Sequence, residues 1–441
     1  MTLRVRVESP GSTRIELGRT LEGVHSSVGG DIVALRLPIA RDLVRVGQAL
    51  FLADRSVRRS RRNPVRNIFV HVDLEEPERW EEHGRELCQL ASLVSNDRWR
   101  LELGKSPNAS QASEVTETDP SSSDVTCVSL FSDGLDSLCG AARAFRDGHR
   151  PMFVSHSPPG RTVVRNRLRA LKDRLGYSDR PAHHASFRFT SGELPERTRR
   201  TRPLLYLSMA GAVALETGAE EIRLNENGVL AVNLPFRSHM IAHAVSRHAH
   251  PAVLSGFERV LRRLWIHGGR PRVNNPFRTL TKGEEVGVLE GAEDLLAQTV
   301  SCEYARQQVA TVKGWLRKRH RKWRPIRECG MCFPCLIRRA ALYQAGADDP
   351  SGRYAFNAVD IFQQRGSPPA GMPLLGHVLH NVTDLASFVY EIRRLSPAEF
   401  VIKYAHELTV LAGPGGVVPR AAETFEIYQR FADEVLAFLE M

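Results

Sequence analysis

The segment that decides the fold is VTCVSLF at residues 125–131, followed directly by SDGLDS at residues 132–137. The first part is a continuous apolar run of the kind found in strands that are buried on both faces of a parallel sheet. The second part is a polar turn that leads into a helical stretch over residues 136–146. A strand, a glycine-containing turn and a helix in this order predict the first unit of an α/β domain.

The residues that follow repeat the alternation of short apolar and longer helical stretches. Residues 152–155 and 184–189 are predicted as further strands, with a helix over residues 161–175 between them. Residues 204–216 are predicted as an apolar helix, and residues 221–224 as a fourth short strand. Strands and helices that alternate at this spacing predict a doubly wound parallel sheet, to which we assign residues 125–300.

The N-terminal part of the chain has a different pattern. Residues 1–103 are predicted as a small α+β domain, with its elements in this order: strands at 4–7 and 31–38, a basic loop at 55–66, a strand at 67–74 and a helix at 78–93. Residues 104–124 are rich in Ser, Thr, Pro and acidic residues and contain almost no large apolar side chain. Such a segment cannot offset its ordering entropy by burial, so it is predicted as a flexible linker.

Composition excludes several classes of protein. The chain has 441 residues, of which 42% are hydrophobic and 25% charged, which rules out a collagen-like or wholly disordered protein. The net charge of +11 favours anionic partners such as nucleotides, nucleic acid or an acidic protein face. The N-terminus lacks the apolar core of a secretory signal, and no run approaches the ~18 apolar residues of a membrane span. We therefore expect a cytoplasmic protein without membrane contact.

The turn after the first strand is suited to bind phosphate. Glycine at position 134 allows close approach of the backbone, and the amides at the start of the following helix present positive partial charge. The side chains of Ser132 and Ser137 add hydroxyl donors. The alternative is an ordinary strand–turn–helix corner in which Asp133 or Asp136 caps the helix. The predicted ATP- and pyrophosphate-binding residues are Leu130, Phe131, Ser132, Asp133, Gly134, Leu135, Asp136 and Ser137.

Four of the seven cysteines lie within a short part of the chain. Cys329, Cys332 and Cys335 are separated by two residues each, and 26 residues separate Cys302 from Cys329. Four thiolates in a closed set suit structural zinc, with an iron–sulfur cluster or buried free cysteines as the alternatives. Residues 301–350 are therefore assigned to a zinc-binding subdomain with four cysteine ligands. Residues 351–441 are predicted as a helical extension, from apolar spacing at 385–392 and 425–439.

The SDGLDS segment resembles the S-G-G-x-D-S loop of the PP-loop ATP pyrophosphatases, and Asp133 stands where that superfamily usually has glycine. Together with the cysteine cluster, it is similar to the queuosine-pathway 7-cyano-7-deazaguanine synthase family. Residues 200–214 resemble that family's GRN-containing helix and residues 281–286 its T-K-x-E segment. Residues 226–236, 246–251 and 275–284 look closest to the longer synthase-like proteins of the Qat anti-phage systems. The resemblance covers about residues 125–346.

The resemblance implies an ATP-dependent ligase that adenylates a 7-deazaguanine carboxylate for attack by an amine. Lys282 and Arg202 would neutralise charge on the departing phosphates, and Mg²⁺ would bridge those phosphates with help from Asp136 or Asp133. The family's tyrosine-proline-aspartate-cysteine segment is replaced by residues 233–236 (NLPF). This replacement and the added domains favour a protein amine, from a partner encoded in the same defence operon, as the nucleophile.

The substrate-binding residues are predicted at the carboxyl edge of the sheet. Asn225, Glu226 and Asn227 follow the fourth strand and could recognise a purine-like edge, or simply form an Asn-Glu-Asn-Gly turn. Asn233, in the replaced segment, is predicted as a further substrate contact. The solvated ends of helices are the alternative for Lys282 and Arg202.

Three alternatives to this function remain open. The first is a synthase that uses ammonia. The second is a PP-loop enzyme acting on tRNA, in which the basic runs at residues 197–202 and 317–327 would contact phosphates. A solvated protein face is the alternative, and for either run alone the better, explanation of these charges. The third is a nucleotide-binding subunit of a defence complex in which Asp133 has abolished turnover.

Overall fold

The computed structural model describes most of the chain, and all structural statements below concern these residues. They are 2–8, 15–20, 25–26, 35–59, 65–106, 124–156, 161–180, 183–187, 194–196, 198–236, 247–302, 328–347, 349, 353–354, 357–363, 375–411 and 421–440. The strands are β1 (Thr2–Glu8), β2 (Ile15–Thr20), β3 (His25–Ser26), β4 (Asn67–Leu74), β5 (Arg98–Lys105), β6 (Cys127–Leu130), β7 (Pro151–His156), β8 (His183–Phe187), β9 (Glu221–Arg223) and β10 (Arg272–Asn274).

The helices follow the same chain order. They are α1 (Pro38–Ser56), α2 (Gly84–Ser95), α3 (Leu135–Arg146), α4 (Arg161–Arg174), α5 (Arg202–Thr217), α6 (Gly228–Val232), α7 (Pro251–Leu264), α8 (Lys282–Val286), α9 (Phe333–Gln344), α10 (Ala358–Phe362), α11 (Leu375–Arg394), α12 (Pro397–Lys403), α13 (Ala405–Leu411) and α14 (Ala421–Leu439). Three short 3₁₀ segments add Pro77–Trp80, Gly287–Leu289 and Glu293–Gln298.

Five parallel strands form the central sheet, in the order β10-β9-β6-β7-β8, and the short strand β3 pairs antiparallel with β8. The first strand of the unit, β6, lies in the middle of the sheet. The chain then adds β7 and β8 on one side of β6, and afterwards β9 and β10 on the other side. The direction reverses between β6 and β9. In open α/β sheets, ligands bind at the carboxyl ends of the strands beside such a reversal.

Helical layers cover both faces of this sheet. Along β7, Met152 and Val154 pack into one apolar cluster and Phe153 into another, since neighbouring side chains of a strand point to opposite faces. The first cluster includes the buried side of α5, and the second includes α3 and α4. The predicted α/β parallel sheet is therefore confirmed.

The N-terminal sheet has the order β2-β1-β4-β5, with β4 and β5 parallel and the other pairs antiparallel. Its helix α1 packs directly on α5. A Cβ atom added to Gly47 would lie 2.6 Å from the Ser208 Cβ, and one added to Gly211 would lie 2.8 Å from a Leu43 methyl carbon. One continuous apolar cluster joins this unit to the central sheet.

The C-terminal helices pack around α14. Tyr428 and Phe431 of α14 are fully buried against Phe388 of α11. The Tyr428 hydroxyl accepts a hydrogen bond from the Leu234 amide at 2.8 Å and donates one to the Val229 carbonyl at 2.8 Å. These bonds fasten α14 to the segment that follows β9, so the helical C-terminus is an integral part of the sheet domain.

Most of the predicted elements are present, with some corrections. The strand over 67–74 and the helices over 136–146, 161–175 and 204–216 match within two residues. The helix predicted over 78–93 is instead a 3₁₀ turn followed by α2. Helix α1 and strand β10 were not predicted. The basic loop at 55–66 begins inside α1, and its residues 60–64 lie outside the described residues. Residues 31–34 of the predicted 31–38 strand also lie outside them, whereas residues 35–37 are not in a strand and Pro38 begins α1. Most of the 104–124 linker, residues 107–123, lies outside the described residues as well.

Candidate functional site

The predicted phosphate loop lies at the reversal of the sheet, between the end of β6 and the start of α3. Gly134 is the N-cap residue of α3, with no side-chain cap. The Ser132 and Ser137 hydroxyls lie 2.9 Å apart, and the Gly134 amide donates to the Ser132 hydroxyl at 3.1 Å. The amides of the first helical turn have no acceptor within their own helix, so the corner retains the donors that an anion needs.

A second segment holds this loop from outside. The Val300 amide donates to the Asp133 carbonyl at 2.9 Å. Because a trans peptide places its C=O and N–H on opposite sides, fixing the Asp133 carbonyl also fixes the direction of the Gly134 amide. The chain from Val300 continues directly to Cys302. The loop geometry therefore depends on the segment that enters the cysteine cluster.

A compact cluster of charged groups lies below the loop. The Lys282 Nζ donates to Asp136 Oδ1 at 2.5 Å, although 146 residues separate the two. The Asn227 side-chain amide donates to the same Asp136 oxygen at 3.4 Å and to Glu226 Oε1 at 3.1 Å. Only 4% of Lys282 is exposed. Four of the residues predicted for catalysis or substrate binding thus form one hydrogen-bonded cluster.

Glu285 completes this cluster and was not predicted. It is fully buried, and burial followed by the nearby Asp136 charge raises its pKa well above the usual range. Burial also raises the pKa of Glu226. Burial opposes ionisation of Asp136 as well, but Lys282 and the hydrogen bonds outweigh it and hold its pKa at about 2. One lysine thus lies among three carboxyl groups, of which Asp136 has a lowered pKa and Glu226 and Glu285 have raised ones.

A cavity of about 150 Å³ opens beside the loop. Cavities of this size accept a single small aromatic molecule. Its walls are mostly apolar or aromatic, and its polar lining residues include Ser132, Ser137, Asn225 and Glu226. The lining residues are Leu130, Phe131, Ser132, Ser137, Val154, His156, Pro203, Tyr206, Met209, Leu224, Asn225, Glu226 and His248.

Arg202 does not line this cavity but contacts two residues that do, His248 and Tyr206. Its Nη2 atom is 3.4 Å from His248 Nε2, and its guanidinium lies 5.5 Å from the centre of the Tyr206 ring. Burial, together with the Arg202 charge, lowers the pKa of His248 to about 3. His248 is therefore neutral near pH 7 and can accept a hydrogen bond from Arg202.

Three of the four predicted substrate residues, Asn225, Asn227 and Asn233, have a role in the fold itself. Asn225 donates to the Ser129 hydroxyl at 3.0 Å and to the Leu130 carbonyl at 3.3 Å, which joins the ends of β9 and β6. Asn227 accepts from the Leu230 amide at 3.1 Å and caps α6. Asn233 is the left-handed residue that ends α6, with φ of 55°. Of the four, Asn225 and Glu226 line the cavity.

The four predicted cysteine ligands meet in one buried group. Their Sγ atoms all lie within 4.8 Å of one another, with 3.9 Å between Cys329 and Cys335 and 4.0 Å between Cys332 and Cys302. Sulfur atoms around a tetrahedral ion with Zn–S bonds of ~2.3 Å would be about 3.8 Å apart. Gly330, with φ of 80°, lets the chain turn between the first two ligands. The set fits a structural metal such as zinc.

The cysteine group is braced by buried ion pairs. Glu328 Oε1 accepts from the Ser301 amide at 2.5 Å, and Arg353 Nε donates to Glu328 Oε2 at 3.1 Å. Arg338 pairs with Asp349 at 2.8 Å. Arg338 of α9 also donates to the Leu296 carbonyl at 2.9 Å and to the Thr299 hydroxyl at 2.6 Å, which holds this segment against α9. Among the residues that the structure describes, the four cysteines are the only group of three or more side chains with metal-ligand geometry. The Mg²⁺ contact of Asp136 or Asp133 stays a prediction, because it depends on bound phosphates.

Comparison with protein-family models, with curated proteins and with solved structures returns no match for this chain. In the part of the chain that the structure describes, no helix has both the length and the apolar character required to cross a bilayer.

The sequence contains one helix-start signal that the predictions above did not use. Thr281-Lys-Gly-Glu284 is a capping box, in which the Thr281 hydroxyl accepts from the Glu284 amide and Glu284 accepts from the Thr281 amide. This motif predicts a helix that begins at Lys282. The cavity residues His156, Tyr206 and His248 carry no local signal, because they come from a strand, a helix and a loop that are distant in sequence.

Proposed function

We propose that the chain is an ATP-dependent ligase that adenylates a purine-like carboxylate, of the 7-deazaguanine type, for attack by an amine. The observation that carries the proposal is the meeting of the Ser132–Ser137 corner, the buried Lys282 and an aromatic cavity at the reversal of a parallel sheet. A polyphosphate fits the corner, and a flat heterocycle fits the cavity.

In this reaction a substrate carboxylate oxygen attacks the α-phosphorus of ATP, and the bond to the β-phosphate breaks, releasing pyrophosphate. The amine then attacks the acyl carbon, AMP leaves, and the amine nitrogen loses a proton. Lys282 stabilises the charge that grows on the departing pyrophosphate, and the loop amides hold it in place. Magnesium would enter with ATP as its phosphate complex.

The zinc-type cysteine cluster supplies no chemical step in this proposal. Four protein ligands leave no open coordination position, so a bound metal would stabilise the fold of residues 296–302 and 328–344. Through Val300 and Asp133 it would also help to fix the phosphate loop. The nucleophile is proposed to be the amine of a partner protein, with ammonia as the alternative.

The test is to incubate the purified chain with Mg-ATP, 7-carboxy-7-deazaguanine and either ammonia or a candidate partner protein. Release of AMP and pyrophosphate that requires the carboxylate supports the proposal, and a mass increase of the partner identifies the nucleophile. Ser137→Ala should lower the rate, whereas Ser178→Ala, which changes an exposed serine after α4, should not. The proposed ligase function would be refuted by hydrolysis of ATP to ADP, or by the absence of turnover with any of these acceptors. In the second case, ATP binding would identify a nucleotide-binding subunit.

A further inference from the structure

The C-terminal helix α14 contacts the short turn that carries Lys282. Glu434 of α14 is 5% exposed and accepts hydrogen bonds from the Thr281 hydroxyl and, at 3.4 Å, from the Gly283 amide. A Cβ atom added to Gly283 would lie 2.5 Å from Glu434 Oε1, so the two segments are in direct contact. Lys282 lies between the two residues that Glu434 holds.

A second side chain of α14, one helical turn earlier, holds the same segment. Arg430 Nε donates to Glu284 Oε1 at 2.8 Å, and its Nη2 donates to the Thr279 carbonyl at 2.7 Å. The segment from Thr279 to Glu284 is therefore held at four points by two side chains. Helix α8 has only five residues, and isolated helices of that length are unstable in water.

We propose that Glu434 is a positioning residue for Lys282, through which the C-terminal extension completes the phosphate site. This proposal rests on the proposed function, in which Lys282 stabilises pyrophosphate. The Thr281 hydroxyl has one hydrogen, which it donates to Glu434, while its oxygen accepts from the Glu284 amide at 3.3 Å. Glu434 thus fixes the orientation of the group that caps α8, and with it the direction in which Lys282 leaves the backbone.

The rest of α14 remains anchored when Glu434 is changed. Tyr428, Phe431 and Phe438 are buried in the apolar core beneath it, and the two hydrogen bonds of the Tyr428 hydroxyl do not involve Glu434. A substitution of Glu434 should therefore loosen the Lys282 turn without detaching the helix.

The experiment compares the full chain with Glu434→Ala, Glu434→Gln and the control Glu426→Ala, an exposed glutamate of the same helix. The first readout is hydrogen–deuterium exchange of peptides covering residues 279–287. Exchange should rise about tenfold in Glu434→Ala, the loss expected when buried hydrogen bonds to Thr281 and Gly283 are removed. Glu434→Gln should be intermediate, because its amide oxygen still accepts from Thr281. The control should match the wild type.

The second readout is AMP formation, with kcat and KM determined separately. A positioning role predicts a lower kcat in Glu434→Ala, an unchanged KM for the carboxylate substrate and partial rescue in Glu434→Gln. Wild-type exchange in Glu434→Ala would overturn the proposal. If Glu434→Ala does not fold, Glu434→Gln decides by the same exchange readout. If the wild type forms no AMP, the proposed function fails, while the exchange data still decide whether Glu434 holds the turn.

Discussion

Replacement of Lys282 by methionine tests the charge cluster most directly. Methionine has a similar length and an apolar character, so the substitution removes the charge while filling most of the space. In the folded chain Lys282 is the cation that contacts Asp136, and the carboxyl groups of Glu226 and Glu285 lie beside it. Without it, the mostly buried and ionised Asp136 loses the cation that contacts it, while the Asn227 amide remains at 3.4 Å.

The expected loss of stability in Lys282→Met follows from two independent considerations. A shift of the Asp136 pKa from 3.8 to about 2 corresponds to about 2 kcal/mol in favour of the ionised, folded form. Removal of one partner from a buried ion pair typically costs about 3–5 kcal/mol. We therefore expect Lys282→Met to lower the free energy of unfolding by about 3 kcal/mol at pH 7.

The direction of the Asp136 pKa shift determines how the stability difference between the two proteins changes with pH. The folded-state pKa of Asp136 lies below its unfolded value, so its stabilising effect is present above pH 3.8 and is lost as the pH falls towards 2. The difference between wild type and Lys282→Met should therefore shrink on acidification. This difference in the free energy of unfolding is measured by urea unfolding followed by tryptophan fluorescence. The measurement runs from pH 7 to the lowest pH at which both proteins fold.

The matched control is Lys105→Met, which removes an exposed lysine that lies 3.7 Å from Glu78. Surface ion pairs contribute about 0–1 kcal/mol, so this variant should unfold almost as the wild type does. A loss below about 1 kcal/mol for Lys282→Met at pH 7, or a larger loss that does not change with pH, would refute the argument that Lys282 compensates a buried charge.

Three further predictions concern other parts of the molecule. Gly140→Ala should destabilise the chain by about 1–3 kcal/mol, because its Cβ would lie 2.0 Å from Asn225 Cγ; thermal unfolding measures this, and Gly84→Ala, which has free space around it, is the control. Removal of metal by a chelator should lower the melting temperature and speed hydrogen exchange at residues 131–137, because the loop is bonded to Val300 beside Cys302; equal exchange with and without metal would contradict this coupling. Asp133→Gly should increase ATP affinity about fivefold in calorimetric titration, since one exposed charge near a phosphate is worth about 1 kcal/mol; unchanged affinity would show that Asp133 points away from the bound anion.

The parts of the fold that were predicted well are those with a strong local signal. Strand β6 and helix α3 could be identified because an apolar run and an amphipathic stretch meet at a glycine-containing turn. Helix α1 was missed because it is buried around most of its circumference, including Asp42 and Arg45. Arg45 forms ion pairs with both Asp42 and Glu75 in the folded chain, and no local pattern can indicate the pairing with Glu75.

Strand β10 illustrates the same limit for the sheet. It has three residues, Arg272 to Asn274, and only its central valine is buried. It is a strand because it pairs in parallel with β9, and that pairing depends on the position of a segment about fifty residues upstream.

The sequence by itself determined the strand–loop–helix corner, the grouping of three of the four clustered cysteines and the helical C-terminus, because each depends on residues that are close together along the chain. Tertiary structure alone decided that Lys282 meets Asp136, that Glu285 lies buried beside them and that Glu434 holds the Lys282 turn. The reason is physical: the energies of buried charges and hydrogen bonds depend on distance and solvent exclusion, and both are set only when distant segments pack together.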